Sequence, residues 1–153
     1  MDDPPGRHFE LSYRVTPMQP EAHLFEVQLT IACPLPDPLT LSLPAWIPGS
    51  YMIRDFARNL VRISALDASG RALTLVKRDK QTWELADPLG AVVGAIQVRY
   101  QVFAWDLSVR AAHLDTTHAY FNGPSLFLRV HQRDDRPCRV DLRPPPGDGY
   151  GDW

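Results

Sequence analysis

Prolines divide this chain into short segments. Fifteen of the 153 residues are proline, and they are spread along the chain rather than gathered in one tract. A proline removes a backbone hydrogen bond from a helix interior, and within a sheet it is tolerated mainly at edges, strand starts and bulges. The apolar residues between the prolines alternate with polar ones over short runs. Together these features predict many short strands and argue against long helices.

Three segments show the clearest alternation. In each of them every second residue is apolar, which is the pattern of a strand with one buried face. The side chains predicted to face the core are Phe9, Leu11, Tyr13 and Val15 in the first segment, Phe25, Val27, Leu29 and Ile31 in the second, and Ile96, Val98, Tyr100 and Val102 in the third.

Shorter apolar runs extend the strand pattern to most of the chain. Turn-forming residues separate these runs. Residues 16–22 and 108–118 are predicted to be connectors, and the charged residues 77–80 a solvated hairpin tip. The additional predicted strands cover residues 39–43, 61–65, 72–76, 81–85 and 138–142. One further strand is predicted before Asn122-Gly123-Pro124 and another after it.

These segments predict an all-β protein. About nine to ten strands at spacings of about 8–12 residues are typical of a β-sandwich or a strongly curved antiparallel sheet. At most one short helix is expected, over residues 51–58. Residues 143–153 contain three prolines and three glycines. The expected organisation is therefore a β-sandwich domain over residues 1–142 and a Pro/Gly-rich linker over residues 143–153.

The charge balance gives no electrostatic basis for binding nucleic acid or an anionic membrane. The chain has 16 Lys+Arg and 18 Asp+Glu, a formal net charge of −2, and no block of like charges. No apolar run approaches the ~20 residues of a membrane-spanning helix. Because the N-terminus begins acidic and lacks the features of a signal peptide, we expect a cytoplasmic protein, or an exported one if a native signal has been removed.

The two cysteines do not resemble a disulfide framework. Cys33 and Cys138 are too few for one and form no C-x-x-C motif. We expect two small buried thiols in a reducing compartment, with a Cys33–Cys138 disulfide as the alternative.

The sequence lacks the common catalytic motifs. No histidine is followed by glutamate, so there is no H-E-x-x-H, and there is no G-x-S-x-G, phosphate-binding loop or G-x-G-x-x-G. One group of metal-ligand residue types remains, namely His113, Asp115 and His118. It is interpreted as an exposed polar connector, with a three-ligand zinc site as the alternative. On an extended strand His118 would point away from the other two.

Residues 43–59, LPAWIPGSYMIRDFARN, form the least ordinary stretch. Pro48-Gly49 suits a type II turn, which would bring Trp46 and Tyr51 near each other. Charged residues beside aromatic surface are typical of an interface or a pocket rim, although a rigid corner that caps the sandwich would need the same turn. The candidate surface residues are Trp46, Pro48, Gly49, Ser50, Tyr51, Arg54 and Asp55.

Two stretches carry a family resemblance. LPAWIPGSYMIRDFARNL (residues 43–60) and YFNGPSLFLRV (residues 120–130) resemble the N-terminal region of the glycyl aminopeptidase family. Members of that family are zinc metallopeptidases with a PDZ domain C-terminal to the catalytic domain. The resemblance extends over residues 8–142.

The resemblance implies a non-catalytic accessory domain. In that family a β-sandwich-like N-terminal domain precedes a thermolysin-like catalytic domain, which holds the zinc. This chain is then expected to have no metal or cofactor of its own. Its partners would be its own catalytic domain and the N-terminus of a peptide substrate, from which the parent enzyme would release residues such as Gly or Ala by zinc-activated water.

The second stretch is the candidate for contact with the cleft. By analogy with the broader aminopeptidase clan, Tyr120, Phe121, Asn122 and Gly123 would line it, and the Asn122 side-chain carbonyl would accept a hydrogen bond from the substrate ammonium. An interface of this kind would leave an apolar patch on the domain alone, with Trp46, Tyr51 or Phe56 in it. The alternative is an independent peptide- or carbohydrate-binding module that uses Trp46 and Tyr51 as a stacking platform.

Overall fold

Strands make up more than half of the residues that the structure describes. The computed structural model describes residues 10–43, 59–104, 112–114, 116, 119–121, 126–133 and 136–147. Single-turn 3-10 helices lie at Pro20–Ala22 and Leu89–Ala91. The strands in the described residues are β1 (Leu11–Gln19), β2 (Leu24–Ile31), β3 (Thr40–Ser42), β4 (Leu60–Leu66), β5 (Ala72–Leu73), β6 (Leu75–Asp79), β7 (Thr82–Leu85), β8 (Ile96–Phe103), β9 (Ala112–Leu114), β10 (Ala119–Phe121), β11 (Arg129–Val130) and β12 (Cys138–Leu142).

The strands form two main sheets and one hairpin. A six-stranded sheet has the order β12-β1-β2-β8-β4-β5, and a four-stranded sheet has the order β11-β3-β7-β6. Strands β9 and β10 pair with each other. The pairings are antiparallel except that of β1 with β12, which is parallel. The inner side chains of both sheets belong to one hydrophobic core, so the prediction of an all-β sandwich is confirmed.

The three clearest alternations face the core as predicted. The inward residues of β2 and β8 are at most 1% exposed, because these strands lie in the middle of the six-stranded sheet and one face of the sheet is covered. Leu11, Tyr13 and Val15 of β1 are also buried, whereas Phe9 lies outside the described residues. Full burial of each Leu, Ile or Val side chain stabilises the fold by about 1.5–3 kcal/mol.

The prediction of a connector at residues 16–22 is wrong for residues 16–19. Strand β1 continues to Gln19, and Pro17 within it is buried. The register between β1 and β2 shifts between Thr16 and Gln19, and such an irregularity accommodates a residue without an N–H group. The chain then turns through the 3-10 helix at Pro20–Ala22, where the His23 N–H donates to the Pro20 carbonyl at 3.1 Å.

The strand predicted at residues 72–76 is two strands in different sheets. Ala72 and Leu73 pair with β4, while Leu75 and the residues after it pair with β7. Thr74 stands at the crossing. Its N–H donates to Asp87 Oδ1 at 3.2 Å and its carbonyl accepts from the Ala86 N–H at 2.9 Å. Alternation continues through the crossing, so the apolar pattern carries no sign of it.

Val61 does not share a buried face with Ile63 and Ala65. Its side chain is 51% exposed. The register of β4 against β8 shifts between Leu60 and Arg62, so Val61 is the extra residue of a bulge and points away from the core.

The connector predicted at residues 108–118 contains a strand. Residues 112–114 form β9, and Leu114 is fully buried. This short strand carries a single buried apolar side chain that the structure describes, so period-two alternation could not identify it.

The prediction of buried cysteines is wrong. Both thiols are free and exposed. Cys33 lies in the loop after β2, and Cys138 lies on β12, at the edge of the six-stranded sheet. No helix among the described residues is long and apolar enough to cross a membrane.

Candidate functional site

One end of the six-stranded sheet gathers parts of both family-resembling stretches. We call it the Phe25 end, where β2 begins, β8 ends and β4 begins. Phe25 lies opposite Val102, and Val102 lies opposite Leu60. All three side chains pack in the core or against it. Leu60 is the last residue of the first stretch, so that stretch rejoins the fold at this end.

The second stretch meets the same end through aromatic contacts. The Phe121 ring packs edge-on against Phe25, with ring centroids 5.7 Å apart, and against Phe127 at 5.8 Å. Phe127 in turn packs against Tyr13 at 5.1 Å. Each such pair stabilises the fold by about 0.5–1.5 kcal/mol beyond its buried area. Phe121 is half-buried and anchors β10, and its predicted contact with the cleft stays a prediction.

Two buried tyrosines hold the continuation of the second stretch. The Tyr100 hydroxyl donates to the Leu126 carbonyl at 2.5 Å and accepts from the Leu128 N–H at 3.1 Å. The Tyr13 hydroxyl donates to the Leu128 carbonyl at 2.6 Å. Burial raises the pKa of the Tyr100 phenol far above its ordinary value, so this hydroxyl stays neutral and remains a donor. The six-stranded sheet is thereby tied to the segment that leads into β11.

The candidate residues Asn122 and Gly123 lie outside the described residues, as does the side chain of Tyr120. Their neighbours on both sides are well anchored. Phe121, which precedes them, packs against Phe25. Leu126, which follows them along the chain, is fully buried.

Hydrogen bonds also fix the β9–β10 hairpin to the Phe25 end. The His23 Nδ1 lies 2.6 Å from the Leu114 carbonyl, the Leu114 N–H donates to the Ala104 carbonyl, and the Ala104 N–H donates to the His23 carbonyl. The backbone of His113 pairs with Tyr120. Asp115, His118 and the His113 side chain lie outside the described residues, so the zinc alternative stays a prediction.

The other candidate residues of the first stretch, Trp46 to Asp55, also lie outside the described residues. The residues that flank them are placed. Leu43 directly follows β3 and is fully buried, and its N–H donates to the Gln81 carbonyl at 3.0 Å. Leu60 lies in the other sheet. The stretch therefore joins the two layers of the sandwich, and the roles predicted for its side chains, including the stacking platform, stay predictions.

The hydrogen bonds of the Tyr13 and Tyr100 hydroxyls were not predicted from the sequence. Tyr13 and Tyr100 were predicted only as apolar core side chains. The available signal was their phenol group, because a buried tyrosine usually needs a hydrogen-bond partner. The identity of that partner, more than 25 residues away along the chain, has no signature in the sequence.

The outer face of the six-stranded sheet is polar and carries several ion pairs. Arg14 bonds to Asp141 at 3.2 Å, and Arg99 to Glu26 at 3.1 Å. Although partial burial alone would raise it, the pKa of Asp141 is held below its ordinary value by Arg143 and Arg14. Shallow depressions on this face are lined by these side chains and by Gln28. Exposed ion pairs of this kind contribute little to stability.

The comparisons with known proteins agree with this architecture. The family model of the Peptidase M61 N-terminal domain matches residues 12–153. A search of curated proteins gave no match. Among solved structures, an aminopeptidase N family protein from Idiomarina loihiensis is 42% identical in sequence, with a TM-score of 0.82. The match covers 89% of this chain and 22% of that one.

The family match therefore covers both resembling stretches and all of the described strands except Leu11, the first residue of β1. It also agrees with the family resemblance found in the sequence. The chain belongs to the Peptidase M61 N-terminal domain family.

Proposed function

We propose that this chain is the non-catalytic N-terminal domain of a zinc aminopeptidase, which packs on the catalytic domain and shapes its cleft. The observation that carries the proposal is the family match over residues 12–153. The solved relative supports it, since this chain corresponds to only 22% of a much longer aminopeptidase N family chain. The catalytic domain would supply the zinc and its activated water for the release of N-terminal residues such as Gly or Ala.

The anchoring of the two resembling stretches supports a positioning role. Residues that contact a substrate or a neighbouring domain are most effective when packing and hydrogen bonds hold them in place. Both stretches join the fold at the Phe25 end, one through Leu60 and the other through Phe121. In our proposal this end of the sandwich faces the catalytic domain, and the residues between the anchors line the cleft.

Activity and metal content test whether catalysis belongs to the catalytic domain and not to this chain. We expect the full-length peptidase to hydrolyse glycyl and alanyl p-nitroanilides and to contain zinc by mass spectrometry. The 153-residue chain alone should do neither. Hydrogen exchange measured on the isolated chain and on the full-length enzyme should show slower exchange at the Phe25 end in the latter. Aminopeptidase activity or stoichiometric zinc in the isolated chain would contradict the proposal.

Asn122 gives a sharper test of contact with the substrate. In the full-length enzyme, Asn122→Ala should raise KM or lower kcat severalfold, because an acceptor for the substrate ammonium is lost. Asn122→Asp is the matched control, since a carboxylate binds an ammonium group better than an amide does. It should therefore retain or improve KM. Unchanged kinetics in both variants would remove Asn122 from the site.

A further inference from the structure

Strand β12 presents a row of exposed apolar side chains. We use the name β12 row for Cys138, Val140 and Leu142. Cys138 is exposed, Val140 is 45% exposed and Leu142 is 62% exposed. Their partners across the parallel pairing are the buried residues Leu11, Tyr13 and Val15. Because residues paired across neighbouring strands point to the same face of a sheet, the β12 row lies on the core side and is nevertheless in contact with solvent.

Among the described residues, the cover of the core extends over β1 and ends one strand before the row. Phe127 and Leu128 lie over Tyr13 of β1 through a ring contact at 5.1 Å and a hydrogen bond at 2.6 Å. Strand β12 is the next strand outward and forms the edge of the sheet. In contrast to its neighbour on β1, Val140 has almost half of its surface in water.

The orientation of β12 is fixed by its other face. Asp141 bonds to Arg14 at 3.2 Å and to Arg143 at 2.9 Å on the outer side of the sheet. The backbone of Arg143 continues the pairing, since its N–H donates to the Val15 carbonyl at 2.9 Å. These contacts keep Asp141 on the outer side and therefore hold the apolar row on the core side of the sheet.

The row differs from the other exposed apolar side chains. The remaining large ones in the described residues are Val61, Leu66, Val93 and Phe103, and they belong to β4, β8 and a loop. Single exposed apolar residues are ordinary on protein surfaces. Alternate apolar residues along an edge strand are instead typical of a surface that another element covers.

We infer that the β12 row is the docking surface for apolar side chains of the polypeptide that follows this domain in the full-length peptidase. This inference rests on the proposed function. Strand β12 is the last strand described, and its parallel pairing with β1 directs its C-terminal end toward the Phe25 end. The solved relative, of which this chain covers 22%, has ample polypeptide to form such a cover. The row carries no charge, so the complementary surface is apolar.

The two native cysteines provide the test. Cys138 belongs to the row and Cys33 does not, and both are exposed in this chain. Maleimide labelling of the 153-residue chain, followed by peptide mass spectrometry, should find both thiols reactive. In the full-length enzyme Cys138 should react at least about tenfold more slowly, because a covered thiol is reached only by local opening. Cys33 should keep its rate.

A pair of variants separates docking from general shielding. In the full-length enzyme, Val140→Lys should return Cys138 to the labelling rate of the isolated chain. Leu66→Lys, on the opposite face of the same sheet, should not change it. Lysine keeps an apolar stem at both positions, so the isolated domain should tolerate either change.

Four results would overturn the inference. Equal Cys138 rates in the isolated chain and the full-length enzyme would do so, as would slowing of both thiols by the same factor. Protection of Cys138 in the isolated chain that rises with protein concentration would assign the row to a second copy instead. An active, zinc-containing enzyme with exchange protection elsewhere and a reactive Cys138 would refute the docking surface and leave the proposed function intact.

Discussion

Tyr100→Phe is expected to lower the free energy of unfolding of this chain by about 2–4 kcal/mol, because it leaves two buried backbone groups unpaired at about 1–3 kcal/mol each. The Tyr100 hydroxyl bonds to the Leu126 carbonyl and the Leu128 N–H. Phenylalanine fills the same space, so no cavity adds to the loss. Urea unfolding followed by tryptophan fluorescence measures the change.

Tyr13→Phe is the matched control. It removes the bond to the Leu128 carbonyl and keeps the ring in contact with Phe127. We expect a smaller loss, about 1–2 kcal/mol. The double variant should lose less than the sum of the two single variants, since both act on the segment at Leu128 and residues that share a partner are coupled. A Tyr100→Phe protein as stable as the wild type would show that this segment is not held by the hydroxyl.

Asp67→Asn is expected to lower the thermal midpoint at neutral pH by about 5–10 °C. The Asp67 carboxylate is inaccessible to solvent and closes the turn between β4 and β5. Its Oδ1 accepts hydrogen bonds from the Ser69 hydroxyl at 2.6 Å and from the Ser69 and Arg71 N–H groups, and its Oδ2 accepts from the Val93 N–H at 3.2 Å. An amide would turn its own donor toward some of these donors.

The same carboxylate predicts how stability depends on pH. The Ser69 hydroxyl and the backbone N–H groups lower the pKa of Asp67 from 3.8 to about 2, despite the opposing effect of burial. The unfolded chain therefore binds a proton at this group more readily than the folded chain does. The stabilisation is complete above the ordinary pKa and is lost as the pH falls from about 5 toward 2.

Thermal unfolding across that pH range tests the linkage. The difference in midpoint between the wild type and Asp67→Asn should shrink as the pH falls, because the wild-type carboxyl becomes protonated. Asp87→Asn is a suitable control at neutral pH, since Asp87 accepts an exposed hydrogen bond from the Thr74 N–H and should contribute less. A constant difference between wild type and Asp67→Asn from pH 7 to pH 2 would contradict the predicted role of the charge.

The candidate site was only partly predictable. The two resembling stretches identified the family, and the match over residues 12–153 confirms it. Nothing in the stretches indicated that both would join the fold at the Phe25 end, because Leu60 and Phe121 are brought together by strands that are distant in sequence. The exposure of the β12 row was likewise not predictable from the sequence. Cys138, Val140 and Leu142 alternate like any buried strand, and only the sheet order shows that they lie beyond the cover of the core.

The sequence by itself determined the strand class and the faces of β1, β2 and β8. Side chains alternate with period two along a strand, so a covered face appears directly in the residue order. Only the tertiary structure decided which sheet each strand joins, where Thr74 crosses between sheets, why Val61 points outward and where the Tyr100 hydroxyl finds its partners. These features depend on contacts between distant segments. A local apolar pattern records burial but not the neighbour that provides it.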